Sequence, residues 1–191
     1  MSDSASVILF DAKEHAHVTV YLAAIHASCI THDRTIATFL PPLSHGKLLS
    51  WWKARIAELA DGSRVIFLLL DGTNPLGSIE GPEIVGVVML VLPSSETGPF
   101  RCLVEKLLIH RRFRGRGGAR LLMSALEAEA LKRRRTLLLL DTETGSPAEA
   151  VYKKLGYTEM GRIPGYGISP TGDLKEGTFF YKDISAQRYT E

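Results

Sequence analysis

Cysteine is scarce in this 191-residue chain: only Cys29 and Cys102 occur, with no C-x-x-C spacing. That excludes a disulfide framework and a thiolate zinc site, and it suits a reducing, cytoplasmic setting. No apolar run approaches the roughly 18 residues of a membrane-spanning helix. The opening MSDSASVILFDAKEHAHV also lacks a basic start followed by a long apolar stretch, so neither an anchor nor a secretory signal is expected. The six histidines form no i, i+4 pair and no H-x-x-x-H motif, so no metal site is expected. A net charge of +2 and a pI near 8.6 show no strong excess of one sign. Bulk charge therefore gives no reason to expect a nucleic-acid or membrane partner.

What is present is ordinary for a globular chain: 45% hydrophobic and 23% charged residues, without repeats or low-complexity segments. The length suits one domain over residues 1–191, with a core of its own. SVILF reads as a strand and HVTVYLAAIHASCI as a helix. Pro41-Pro42 breaks the chain, Ser44 is placed to cap a second helix, and Gly62 to stop it. RVIFLLL and EIVGVVMLVL, separated by turn residues, read as strands joined as a hairpin. RCLVEKLLIH is the next strand. The helix after it carries Leu122, Ala125, Leu126 and Ala130 on one face and closes on KRRR, where positive charge suits the helix dipole. TLLLLDTE reads as a strand buried on both faces, SPAEAVYKKLG as a short helix stopped by Gly156, and TFFYKDI as a last strand. The resulting order is βααββ, βα, βα, ββ, with a right-handed parallel crossover in the middle.

One run stands out. RRFRGRGG, from Arg111, packs four arginines and three glycines into eight residues between a strand and a helix. Such a junction offers unpaired backbone N–H groups at the positive end of a helix dipole, which is an anion site. Gly115, Gly117 and Gly118 let the backbone approach a phosphate closely, and Arg111, Arg112, Arg114 and Arg116 bring charge. The run is not a P-loop, since no Gly-Lys-Ser/Thr ends it. The dinucleotide fingerprint fails because its third glycine position is Arg120. An RGG-like RNA-binding stretch is the bland alternative, but such stretches occur in low-complexity sequence.

What remains is R-x-x-G-x-A, at Arg114, Gly117 and Ala119. Here the chain resembles the GCN5-related N-acetyltransferase (GNAT) superfamily, whose acetyl-CoA signature is Q/R-x-x-G-x-G/A. A second motif supports the resemblance: AEAVYKKLGY places Tyr152 four residues before Gly156-Tyr157. The segment LLLLDTETGSPAEAVYKKLGYTEMGRIPGYGISPTGDL is similar to the subgroup containing the tabtoxin-resistance acetyltransferase.

The resemblance implies an α/β (α+β) GNAT fold. Its mixed, mostly antiparallel, twisted sheet has six or seven strands flanked by about four helices, and the strands matching VEKLLI and LLLLD splay apart. It implies acetyl-CoA as co-substrate, its pantetheine arm bonded by main-chain groups of Leu107, Leu108 and Ile109 by strand addition. The diphosphate would lie on Arg112, Arg114, Gly115, Arg116, Gly117, Gly118, Ala119 and Arg120. Tyr152 would contact the cofactor and protonate the departing thiolate, and Glu105 or Asp141 would take the proton from the acceptor amine. Each of these three also has a plainer reading: a packed helix tyrosine, an edge-strand charge and a loop cap. Trp51 and Trp52 suit packing better than a substrate box. Leu103 stands where the subgroup carries a catalytic glutamate, and Gly145 where the family often carries asparagine.

The activity so implied is N-acetylation of a small amine, with amino-acid-like toxins and antibiotics as candidate acceptors. A protein amine, a non-catalytic acyl-CoA sensor and an RNA module are the competing readings. A homodimer is compatible with the resemblance.

Overall fold

A computed structural model describes residues 5–72 and 83–186 of the chain. The described residues contain β1 (Ala5–Leu9), α1 (Thr19–Asp33), α2 (His45–Ala57), β2 (Arg64–Asp71), β3 (Glu83–Val91) and β4 (Arg101–Ile109). They continue with α3 (Gly118–Lys132), β5 (Leu137–Glu143), α4 (Pro147–Lys154), β6 (Thr158–Ile168) and β7 (Leu174–Asp183). The element order matches the one read from the sequence.

Local chemistry sets most boundaries. Ser44 caps α2 by accepting from the Lys47 N–H at 3.3 Å, and Ser146 caps α4 by accepting from the Glu149 N–H at 3.3 Å. Gly156 follows α4 in the left-handed region (φ 81°), as a stop should. Gly62 does not stop α2, as its sequence position suggests. The helix ends at Ala57, and Gly62 (φ 73°) turns the chain into β2.

The seven strands form one sheet in the order β1-β2-β3-β4-β5-β7-β6. Every pairing is antiparallel except β4 with β5. In β2, Val65, Phe67 and Leu69 join the core that includes Leu122, Met123, Leu126 and Tyr152, under α3 and α4. Ile66, Leu68 and Leu70 join the opposite core with Leu22, Trp52 and Met89, under α1 and α2. Strand alternation thus divides one apolar run between two layers.

β5 corrects an expectation. Leu138 and Leu140 are buried against the α3/α4 layer, but Leu137 and Leu139 are only partly covered. The packing partners of α1 and α2 lie on β2, β3 and the end of β4, so one face of β5 is open.

Candidate active site

The site begins where two neighbouring strands part. β4 and β5 pair only through Arg101–Leu137, Cys102–Leu138 and Leu103–Leu139. Beyond that, β5 stays with β7 (Leu140 opposite Phe180, Glu143 opposite Gly177), while β4 stays with β3. A wedge opens between them.

Main-chain polarity along this wedge follows from one bond. The His110 N–H donates to Val85 O at 2.9 Å, so that amide points at β3. Amide planarity and strand alternation then turn the Ile109 N–H and C=O, and the Leu107 C=O, toward the wedge. Leu108 differs from the sequence reading: its main-chain groups face β3, opposite Val87, and its side chain is buried in the α1/α2 core. The Ile109 carbonyl already accepts from Arg114 Nε at 2.9 Å.

At the mouth nearest α3, the glycines do separate jobs. Gly115 (φ 75°) and Gly117 (φ 84°) take the left-handed backbone, and a Cβ on either would meet nothing within 4 Å. Gly118 is buried, and a Cβ there would come within 2.5 Å of Leu69 Cδ2, so glycine lets α3 seat on β2. Unlike α2 and α4, α3 has no side-chain cap. Its ladder starts with the Leu121 N–H donating to Gly117 O at 3.1 Å, leaving the Gly118, Ala119 and Arg120 amides ahead of it.

The arginines are less uniform than their spacing suggests. Arg111, Arg112 and Arg120 are exposed around the loop. The Arg116 guanidinium stacks over Phe113, 5.3 Å from the ring centre, and lies 3.6 Å from the Asp71 carboxylate. Arg114 turns back on the protein: besides Ile109 O, it binds Asp33 Oδ2 at 2.5 Å. Its guanidinium ties the loop to the end of α1.

The open-face mouth gathers the ionisable groups. Asp141 stands on β5 opposite Phe179, and partial removal from bulk water raises its carboxyl above the usual carboxylate range. Lys106 opposes that rise and Glu105 adds to it. Glu105 Oε2 accepts from Arg64 Nη1 at 2.9 Å, and Arg64 also holds Glu58. Tyr152 belongs to the other layer, its ring fixed by Tyr157 and Phe180 at 5.8 and 6.0 Å between centres. Burial, and then the charge of Asp141, push its phenol up, so the hydroxyl stays protonated. The charge of Asp141 thus reaches Tyr152 although the two stand on opposite faces of the sheet.

The sequence profile of the Acetyltransferase (GNAT) family matches residues 37–157. The chain belongs to the GNAT acetyltransferase family. Solved structures agree with this acetyltransferase in fold. One is yncA from Salmonella typhimurium with its cofactor acetyl-CoA, at TM-score 0.71 and 16% identity, covering 96% of this chain and 95% of that one. Another is RimL, a ribosomal L7/L12 alpha-N-protein acetyltransferase in complex with coenzyme A, at 0.74 and 15%, covering 97% of both chains. A third is a proposed phosphinothricin N-acetyltransferase, at 0.74 and 16%, covering 95% and 99%. At these identities the likeness is one of fold.

Acetyl-CoA, the family's co-substrate, fits the residues present. The uncapped amides of α3 suit a diphosphate, and the wedge exposes an unshared strand edge for an amide-bearing arm. Among the described residues, no group of three or more His, Cys, Asp or Glu side chains is placed to hold a metal ion, and no helix is long and apolar enough to cross a membrane. Three groups at this GNAT site escaped the sequence reading: Arg64, Lys106 and Tyr166. Tyr166, on β6, lies across Gly177 and packs edge-on against Phe179 at 4.8 Å. Chiefly the charge of Asp141 pushes its phenol up. The available signal was the pair Glu105-Lys106, two adjacent charges inside an apolar strand, which an unbroken alternation would send to opposite faces.

Proposed function

We propose that this protein transfers an acetyl group to the amine of a small molecule, with amino-acid-like toxins and antibiotics as the candidate acceptors. Transfer is direct, with acetyl-CoA and acceptor bound together. The reading rests on the wedge between β4 and β5, which has uncapped amides at one mouth and the Asp141–Tyr152 pair at the other. Acetyl-CoA supplies an activated acetyl thioester. Amides from Gly115 to Arg120 hold the diphosphate, Leu107 and Ile109 line the arm, and Arg114 positions the loop.

An acceptor amine arrives protonated and must lose that proton before it attacks. Asp141 is the better base of the two carboxylates. Its carboxyl is more basic than an ordinary aspartate's, and the Glu105 carboxylate is engaged by Arg64. Tyr152, kept protonated, donates to the departing sulfur. Positioning of two substrates in one slot contributes beyond these proton transfers.

A thiol-release assay with acetyl-CoA across small amines and short peptides tests the reading. Turnover of small amines is expected. Turnover of peptides alone would favour a protein substrate, and saturable acetyl-CoA binding without thiol release would make the protein a sensor. Tyr152→Phe should lower kcat by about a hundred- to ten-thousand-fold with little change in acetyl-CoA affinity. An unaltered kcat would remove its role as proton donor.

A further inference from the structure

Lys106 carries three costs at once. It sits in a bulge where Lys106 and Leu107 together oppose Val88 of β3, and its φ of 54° is left-handed, which is unfavourable for any residue with a Cβ. Its ammonium is partly withdrawn from water, which pulls its pKa below the ordinary lysine value, although Glu105 and Asp141 oppose the shift. It forms no ion pair among the described residues: Asp141 acts on it only at longer range, and Glu105 is taken by Arg64. Among the described residues its cation–π contact is with the Trp51 ring, 5.4 Å from Nζ to the ring centre.

A cation–π contact of this kind contributes on the order of 1 kcal/mol. That does not offset both a strained backbone and a poorly solvated ammonium. Strain combined with an unmet charge marks a functional position. Trp51 is itself fixed, with His26 and Trp52 edge-on at 5.4 and 5.1 Å, so it holds the ammonium at the mouth rather than letting it swing into solvent.

We propose that Lys106 binds an acidic group of the acceptor, and that the acceptor is therefore an amine bearing a carboxylate a few bonds from the nitrogen. This rests on the acetyltransferase reading. Asp141 faces the ammonium end of such a molecule and Lys106 its carboxylate, each supplying the counter-charge that the other end lacks. The partner of Lys106 is thus the substrate.

Calorimetry tests this without turnover. A panel of α-, β- and γ-amino acids, each beside its own carboxamide, is titrated into the protein and into its coenzyme A complex. The native chain should favour at least one acid over its amide by tenfold or more. Lys106→Met should weaken that acid by about ten- to a hundred-fold, the scale of one charge-assisted hydrogen bond, and bring the acid-to-amide ratio near one. Lys106→Arg, which keeps the charge, should retain part of the preference and covers the case in which the Met variant does not fold. Equal binding of acids and amides, binding of no amino acid, or equal losses for both members of a pair would overturn the proposal. Acetyl-CoA affinity is measured in parallel. Its absence would overturn the acetyltransferase reading while leaving the acid-to-amide comparison readable.

Discussion

At the scale of single residues, Asp141 couples chemistry to stability. Its raised carboxyl means that the folded chain holds the proton more tightly than the unfolded chain does. The stability this gives is fully present below the unfolded pKa of about 4 and is lost as pH rises through the folded value. Ionised Asp141 is therefore a liability at neutral pH. Asp141→Asn should raise Tm at pH 7, with the gain vanishing at pH 3 in thermal melts. The same variant should remove the ascending limb of the kcat/KM profile, which reports loss of a proton from the base. A gain in Tm with an unchanged profile would leave Asp141 a destabilising bystander.

At the scale of elements, the loop before α3 is placed by a tether. Arg114 joins the Ile109 carbonyl to Asp33 at the end of α1, so the strand end, the loop and a helix from the opposite layer meet in one guanidinium. The two possible roles of Arg114 differ in sign. If it contacted the diphosphate directly, Asp33→Asn would free it and tighten acetyl-CoA binding. As a tether, Asp33→Asn should weaken binding by a few-fold and Arg114→Ala by more, measured by calorimetry. Tighter binding in Asp33→Asn would return Arg114 to the phosphate.

At the scale of the whole molecule, protection should follow the layers. All eight residues of β2 are 9% exposed or less, and β3 is buried from Val85 to Leu90. β6 is an edge strand, exposed along almost its whole length. Amide exchange should be slowest in β2 and β3 and fastest along β6, because opening the centre requires unfolding both cores. Uniform protection would contradict this layering.

Much of this was legible in the chain itself. Apolar periodicity, serine caps and the placement of Gly156 set the elements and their order, because those signals are local. The run from Arg111 to Arg120 marked the glycine turn and the uncapped start of α3, since glycine and a helix start act through the backbone whatever surrounds them. Other features depended on which strand lies beside which. The open face of β5, the main chain of Leu108 turned to β3, Arg114 bound to Asp33, Arg64 taking Glu105, and Lys106 left beside Trp51 are all contacts between segments far apart in sequence. A single chain's spacing carries propensity and periodicity. The choice of partner for each charge is made only when the layers close, because an ion pair requires two groups within about 4 Å that the sequence holds dozens of residues apart.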